Sequence, residues 1–132
     1  MAEEWKVIAR LPLLQPRYEE CISGFVEYPD GNRGILVSGG YRETSTIFLN
    51  LATLEWESKA DLPFDISRHE DVPYGKSVLV FGGSSDNIDE DLDTIYFYDP
   101  EVDEWQLKGN MKYPKYHFPA FLVPDDYANC SP

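Results

Sequence analysis

A tryptophan recurs at Trp5, Trp56 and Trp105, 51 and 49 residues apart, and a Gly-Gly pair ends the apolar run before the second and the third of them. Self-similarity at such a period marks a repeat architecture, in which each unit buries its apolar faces only against its neighbours. The match extends past the tryptophan. One unit reads GILVSGG at 34–40, TIFLNLATLEW at 46–56, then Leu62-Pro63 and Arg68; the next reads SVLVFGG at 77–83, TIYFYDPEVDEW at 94–105, then Met111 and Lys115. A partial unit opens the chain with Trp5, Leu11-Pro12 and Arg17, and in all three an aliphatic residue stands six places after the tryptophan.

Each position has a physical reading. ILV and VLVF are short apolar runs bounded by turn signals and rich in β-branched or aromatic residues, which predicts strands buried on both faces. In TIYFY at 94–98, Tyr96 and Tyr98 take one face and Ile95 and Phe97 the other, so both faces are apolar and the sheet needs a neighbour on each side. The pairs Gly39-Gly40 and Gly82-Gly83 end a strand where positive φ or a close backbone approach is required. Asp99-Pro100 opens a turn, and the tryptophan after it gives the outer strand a large apolar plate whose N–H still needs a partner.

Counted through, each unit supplies four antiparallel strands, A to D. The first blade, 21–58, is expected to have A at 22–28, B at 35–38, C at 46–51 and D at 55–58. The second, 69–107, is expected to have A at 69–74, B at 77–81, C at 94–98 and D at 104–107. A single D strand at 5–9, within residues 1–20, and a single A strand at 117–124 are expected to flank them. The predicted class is all-β, with four-stranded sheets repeated radially as the blades of a β-propeller.

Through Gly82-Gly83, Tyr98-Asp99-Pro100, Trp105, Met111 and Lys115 the chain resembles the kelch repeat family, over nearly its whole length. The first copy departs from that pattern: Leu49 takes the tyrosine slot, Asn50-Leu51 replaces Asp-Pro, and residues 29–33 read as an insertion between A and B. The resemblance implies a kelch-type β-propeller that grips partner proteins or peptides on one loop face. It implies use as the substrate-recognition part of cullin-type ubiquitin ligase adaptors, or actin binding in a cytoskeletal scaffold. Some proteins of this fold are oxidases or sugar epimerases. Propellers close with about four to eight blades, so two blades are expected to be a fragment of a propeller, a non-functional remnant, or a subunit that closes by self-association.

Charge narrows the partners. With 24 acidic against 11 basic residues the formal net charge is −13, which disfavours nucleic acid and anionic membranes. No apolar run approaches a membrane span, and the first residues lack the basic flank and apolar core of a secretory signal. Two cysteines, Cys21 and Cys130, without a CxxC motif point to a reducing, cytoplasmic setting. No nucleophile elbow, P-loop or dinucleotide fingerprint is present, so the chain is read as a non-enzyme with no cofactor.

In an A-B-C-D meander the B–C and D–A connections share one end, and here they are the long ones, whereas the tight turns 51–54, 75–76 and 100–103 lie at the other. On the long-loop end Arg17, Arg68 and Lys115 recur near the start of strand A, Arg42 lies in a B–C loop, and Tyr41 and Ser84 offer hydroxyls. These six are the candidate partner-binding residues, suited to an acidic or phosphorylated peptide because guanidinium forks pair with carboxylate and phosphate. The competing reading is that the basic residues tie down their own loops. The acidic stretch 86–93 lacks the glycine and closing glutamate of a calcium loop and reads as a solvated loop able to meet a basic partner. His69 and His117, near successive A-strand starts with Glu70 and Asp71 beside the first, are a minor metal candidate.

Overall fold

The computed structural model describes residues 3–10 and 20–124. It contains two four-stranded antiparallel sheets and a two-stranded ribbon, with no helix among the described residues. The first sheet is a meander of β1 (Ile22–Glu27), β2 (Arg33–Ser38), β3 (Thr46–Asn50) and β4 (Trp56–Lys59). The second consists of β5 (Glu70–Tyr74), β6 (Ser77–Phe81), β9 (Thr94–Asp99) and β10 (Glu104–Asn110) in that spatial order. Between β6 and β9 the chain folds into a ribbon, β7 (Ser84–Ser85) against β8 (Glu90–Asp91). A loop was expected there. The two-residue strands form because Asp89 adopts φ +54° and reverses the chain tightly enough for Ser84 to face Asp91.

The sheets pack face to face, as adjacent blades of a propeller do. Ile22, Val26, Leu36 and Phe48 of the first sheet meet Val78, Val80, Tyr96 and Tyr98 of the second, joined by Leu62 and Ile66 from the connector. Phe48 and Tyr98 are wholly buried, and each large side chain contributes about 1.5–3 kcal/mol by leaving water. Gly24 permits the approach, since a Cβ there would stand 3.1 Å from that of Val78. Polar ties fix the register of one blade on the other. Trp105 Nε1 donates to Thr46 Oγ1 at 3.2 Å, Tyr28 and Tyr98 share a hydroxyl contact at 2.9 Å, and Tyr98 donates onward to Asp103 at 2.7 Å. Burial pushes the Tyr28 phenol up to about 12 and the Tyr98 phenol further, so both remain protonated donors at physiological pH.

The degenerate first copy keeps its turn by other means. Asn50 stands where the second blade has Asp99, and its Oδ1 accepts the Ala52 N–H at 2.9 Å, as Asp99 Oδ1 accepts that of Glu101 at 3.0 Å. Both C–D turns end on a left-handed residue two places before the tryptophan, Leu54 (φ +59°) and Asp103 (φ +52°). The stretch expected as an insertion is a short turn in which Asp30 Oδ1 accepts the Asn32 N–H at 2.9 Å, and Arg33 already belongs to β2.

The two flanking single strands are not formed. Residues 5–9 and 117–124 have no regular secondary structure, and Trp5 is fully exposed. A strand exists by its ladder, and among the described residues no strand pairs with either segment.

Candidate functional site

The long connections gather at one end of both sheets, and a chain of backbone hydrogen bonds knits them together. Gly40 N–H donates to Ile66 O at 3.0 Å, Ser67 and Ser84 exchange two bonds at 3.0 and 2.8 Å, Gly83 N–H donates to Lys115 O at 2.8 Å, and His117 N–H donates to Arg68 O at 3.0 Å. The paired glycines make these approaches possible. Gly83 sits at φ +97°, and a Cβ there would lie 2.5 Å from Ser67 O; Gly82, at φ +58°, faces Lys115 O in the same way.

At the centre of this face lies Asp65, a residue with no exposed surface. Its Oδ1 accepts from Ser85 Oγ at 2.5 Å and from Asn87 N–H at 3.0 Å. Its Oδ2 accepts from Arg42 N–H at 3.0 Å and from Asp86 N–H at 3.2 Å. One carboxylate thus joins the B–C loop of each blade to the connector between the blades. Burial works to raise its pKa, but the bonds from Ser85, Asn87, Asp86 and Arg42 outweigh that and hold it below the usual aspartate value.

The candidate residues distribute unequally on this frame. Tyr41 and Arg42 project from the first B–C loop, Tyr41 being 39% exposed, with the Arg42 guanidinium carbon 5.2 Å from the Tyr41 ring centroid. Lys115 is exposed, while its main chain is held by Gly83 and by Leu92 O at 3.1 Å. Ser84 is buried in the β7–β8 ribbon, and its hydroxyl stands 3.5 Å from Arg68 Nη1 rather than facing outward. Arg68 borders a hollow of about 250 Å³ that Asp86, Asp89, Glu90 and Asp91 also line. Arg17 lies outside the described residues.

The expected match between Arg68 and Lys115 is corrected. The Gly40–Ile66 and Gly83–Lys115 bonds make Lys115 the counterpart of Ile66. Arg68 corresponds instead to Glu20 and His117, each two places before the level at which a strand A starts, and all three are left-handed, at φ +55°, +40° and +50°. Counted from the tryptophans, Ile66 and Lys115 both stand ten places on and Arg68 and His117 both twelve, in agreement with these bonds, so the expected match is two places out of register; only Glu20 departs, at fifteen places from Trp5.

The histidines do not converge on one centre. His69 Nε2 lies 3.1 Å from Asp71 Oδ2, and His117 Nδ1 lies 3.4 Å from Glu20 Oε1. Both border an open hollow of about 530 Å³ with Cys21 and Glu70. Among the described residues no group of three or more His, Cys, Asp or Glu side chains is placed to hold a metal ion. No helix of the described residues is long and apolar enough to cross a membrane.

Asp65 is the residue that sequence reasoning missed. The corresponding stretch of the next unit, 111–115, carries no acidic residue, so the repeat gives no signal. Its one local hint is a lone carboxylate between apolar residues, in Leu62-Pro63-Phe64-Asp65-Ile66.

No protein-family model matches the chain. Over 113 residues, 77% of the chain, it is 26% identical to alpha-scruin of Limulus polyphemus, and over 79 residues, 59% of the chain, 29% identical to beta-scruin of the same animal. Over 75 residues, 52% of the chain, it is 32% identical to the human kelch repeat and BTB domain-containing protein 12. The chain spans between 8% and 12% of the length of these curated relatives. They are kelch-repeat proteins, and their similarity agrees with the paired, four-stranded sheets.

Proposed function

We propose that this chain, a kelch-repeat protein, is a non-catalytic interaction module that binds an acidic or phosphorylated segment of a partner protein on its long-loop face. The observation that carries the reading is the exposed Tyr41–Arg42 pair, whose backbone is anchored to the buried Asp65 carboxylate. Tyrosine and arginine supply much of the binding energy at protein interfaces, and a loop fixed before binding loses little entropy on complex formation. Lys115 adds a second outward cation, and Arg68 borders the same face. The finer reading is substrate recognition for a cullin-type ubiquitin ligase adaptor in the cytoplasm. It is supported by the kelch resemblance and by the human relative, whose name joins kelch repeats to a BTB domain.

A second reading has its own support. The hollow beside Arg68 is lined by four carboxylates, a setting suited to a basic side chain of the partner. An array of acidic, phosphorylated and basic peptides, read with purified protein, separates the two. Acidic peptides should bind, weaken with salt, and lose about tenfold or more in affinity when Arg42 and Lys115 are both replaced by alanine. Acidic peptides binding equally to both proteins would remove these residues from the site, and retention of basic peptides alone would favour the carboxylate hollow. Actin, the other partner the resemblance implies, is checked by cosedimentation with filaments.

A further inference from the structure

At the tight-turn end, opposite the loop face, the two blades border a hollow of about 330 Å³. Glu27, at the end of β1, lines it from the first blade, and Lys76, Ser77, Phe97, Asp99 and Glu101 line it from the second. Leu79 pairs with Phe97, so Ser77 stands level with Asp99 across the antiparallel ladder, and the period of two puts Ser77, Phe97 and Asp99 on one side of the sheet. Phe97 gives the hollow an apolar wall, and three carboxylates against one ammonium give it a negative charge. Glu27 and Lys76 pair with each other at 3.0 Å, which leaves Asp99 and Glu101 as the excess. Asp99 accepts only from neutral donors, the Glu101 N–H at 3.0 Å and Gln106 Nε2 at 3.0 Å, so its charge is not compensated by them.

Ser77 adds an observation of a different kind. It is 2% exposed, it lines the hollow, and its Oγ is buried without a hydrogen-bond partner among the described residues. A buried hydroxyl left unpaired costs about 1–3 kcal/mol, so a donor that reaches it from the hollow forms a bond without breaking one. The repeat shows that the fold does not require this polar set. Aligned by their Gly-Gly pairs and tryptophans, Ser77, Asp99 and Glu101 correspond to Gly34, Asn50 and Ala52 of the first blade. Asn50 caps its turn as Asp99 does but carries no charge, and neither Gly34 nor Ala52 has a polar side chain. The hydroxyl and the two carboxylates are therefore particular to this corner of the second blade.

We infer that this hollow receives an arginine or lysine side chain from a basic segment of a partner protein. The aliphatic stem lies along Phe97, and the cationic head sits between Asp99 and Glu101 and donates one N–H to Ser77 Oγ. The site lies at the opposite end of the blades from the Tyr41–Arg42 pair and takes the opposite charge, so it goes beyond the loop-face reading and does not depend on it. Binding here weakens as salt rises, because the attraction is between charges at a solvent-accessible hollow.

The test titrates the full, isotope-labelled chain with a capped hexapeptide carrying two arginines, and with the same peptide carrying citrulline in their place, followed by amide chemical shifts. The arginine peptide should move the amides of Ser77, Phe97 and Glu101 more than those of 86–91 beside Arg68, and the citrulline peptide should bind about tenfold more weakly or worse. The double variant Asp99→Asn with Glu101→Ala takes the residues of the first blade, which keep the turn cap, and should also lose about tenfold in affinity for the arginine peptide. Ser77→Ala should lose about two- to tenfold while unfolding at the same or a higher denaturant concentration, since its hydroxyl has no partner in the fold to lose. Alanine at both Arg42 and Lys115 should leave this binding intact. Equal binding of the two peptides, shifts centred on 86–91, or a Ser77→Ala chain that binds as well as the unmodified one but loses stability overturns the inference, the last by assigning the hydroxyl to the fold.

Discussion

Replacing Asp65 with alanine is expected to destabilise the protein by about 3 kcal/mol, because a buried donor left without its charged acceptor costs about 1–3 kcal/mol and four donors converge on this carboxylate. The loss falls on the loop face first. Ser85, Asp86 and Asn87 belong to the ribbon and its turn and Arg42 to the other blade, so their amides should exchange with solvent faster than amides in the sheet centres. Urea unfolding with amide-resolved exchange measures both effects. The same group gives the fold an acid limit. Its folded pKa lies below the value of about 3.9 found in unfolded chains. Its contribution is therefore complete above that pH and is lost as pH falls through the folded pKa. Asp65→Asn, which cannot ionise, should lose that part of the acid dependence while remaining less stable at pH 7. A change in stability under about 0.5 kcal/mol, ordinary for a surface substitution, would show that Asp65 does not hold the loops.

Gly83→Ala is expected to act with comparable force through the backbone. The residue is at φ +97°, and a Cβ meets Ser67 O at 2.5 Å and His69 Cβ at 3.0 Å, both on the inter-blade connector. A left-handed non-glycine residue costs about 1–3 kcal/mol and overpacking about 1–3 kcal/mol more, so about 3–5 kcal/mol is the expected loss. Gly75 supplies the control. It also has positive φ, +58°, yet a Cβ there meets nothing within 4 Å. Gly75→Ala should therefore cost only the conformational part, about 1–2 kcal/mol. Equal losses at the two positions, measured by denaturant midpoint, would remove the close approach of the connector from the explanation.

These two residues mark where sequence reasoning succeeds and where it stops. Gly83 is legible, since a doubled glycine closing an apolar run signals a backbone constraint and the repeat shows it twice. The strands are legible for the same reason: residues such as Val78, Val80, Tyr96 and Tyr98 alternate at period two and recur. Asp65 is not legible, because its importance comes from donors that lie 20 or more positions away along the chain. The register of Arg68 is legible, since Arg68 and His117 both stand twelve places after a tryptophan and Ile66 and Lys115 both ten, as the hydrogen bonds across the connectors also pair them. The β7–β8 ribbon was hidden by composition. Its acidic residues have low strand propensity, and a left-handed Asp89 is what lets two such short strands meet. The single strands expected at 5–9 and 117–124 rest on the repeat pattern alone, which says nothing about whether a ladder partner is present.

The fold rests on the two sheets lying face to face, with β1 against β6 and the Trp105 indole reaching the opposite blade. Nuclear Overhauser contacts in a labelled sample of the 15.2 kDa chain test that arrangement directly. Cross-peaks are predicted between the Val78 methyls and the Gly24 Hα, and between the Trp105 indole N–H and Thr46. A spectrum with the strand-to-strand peaks of each sheet intact and both of these inter-sheet peaks missing would contradict it.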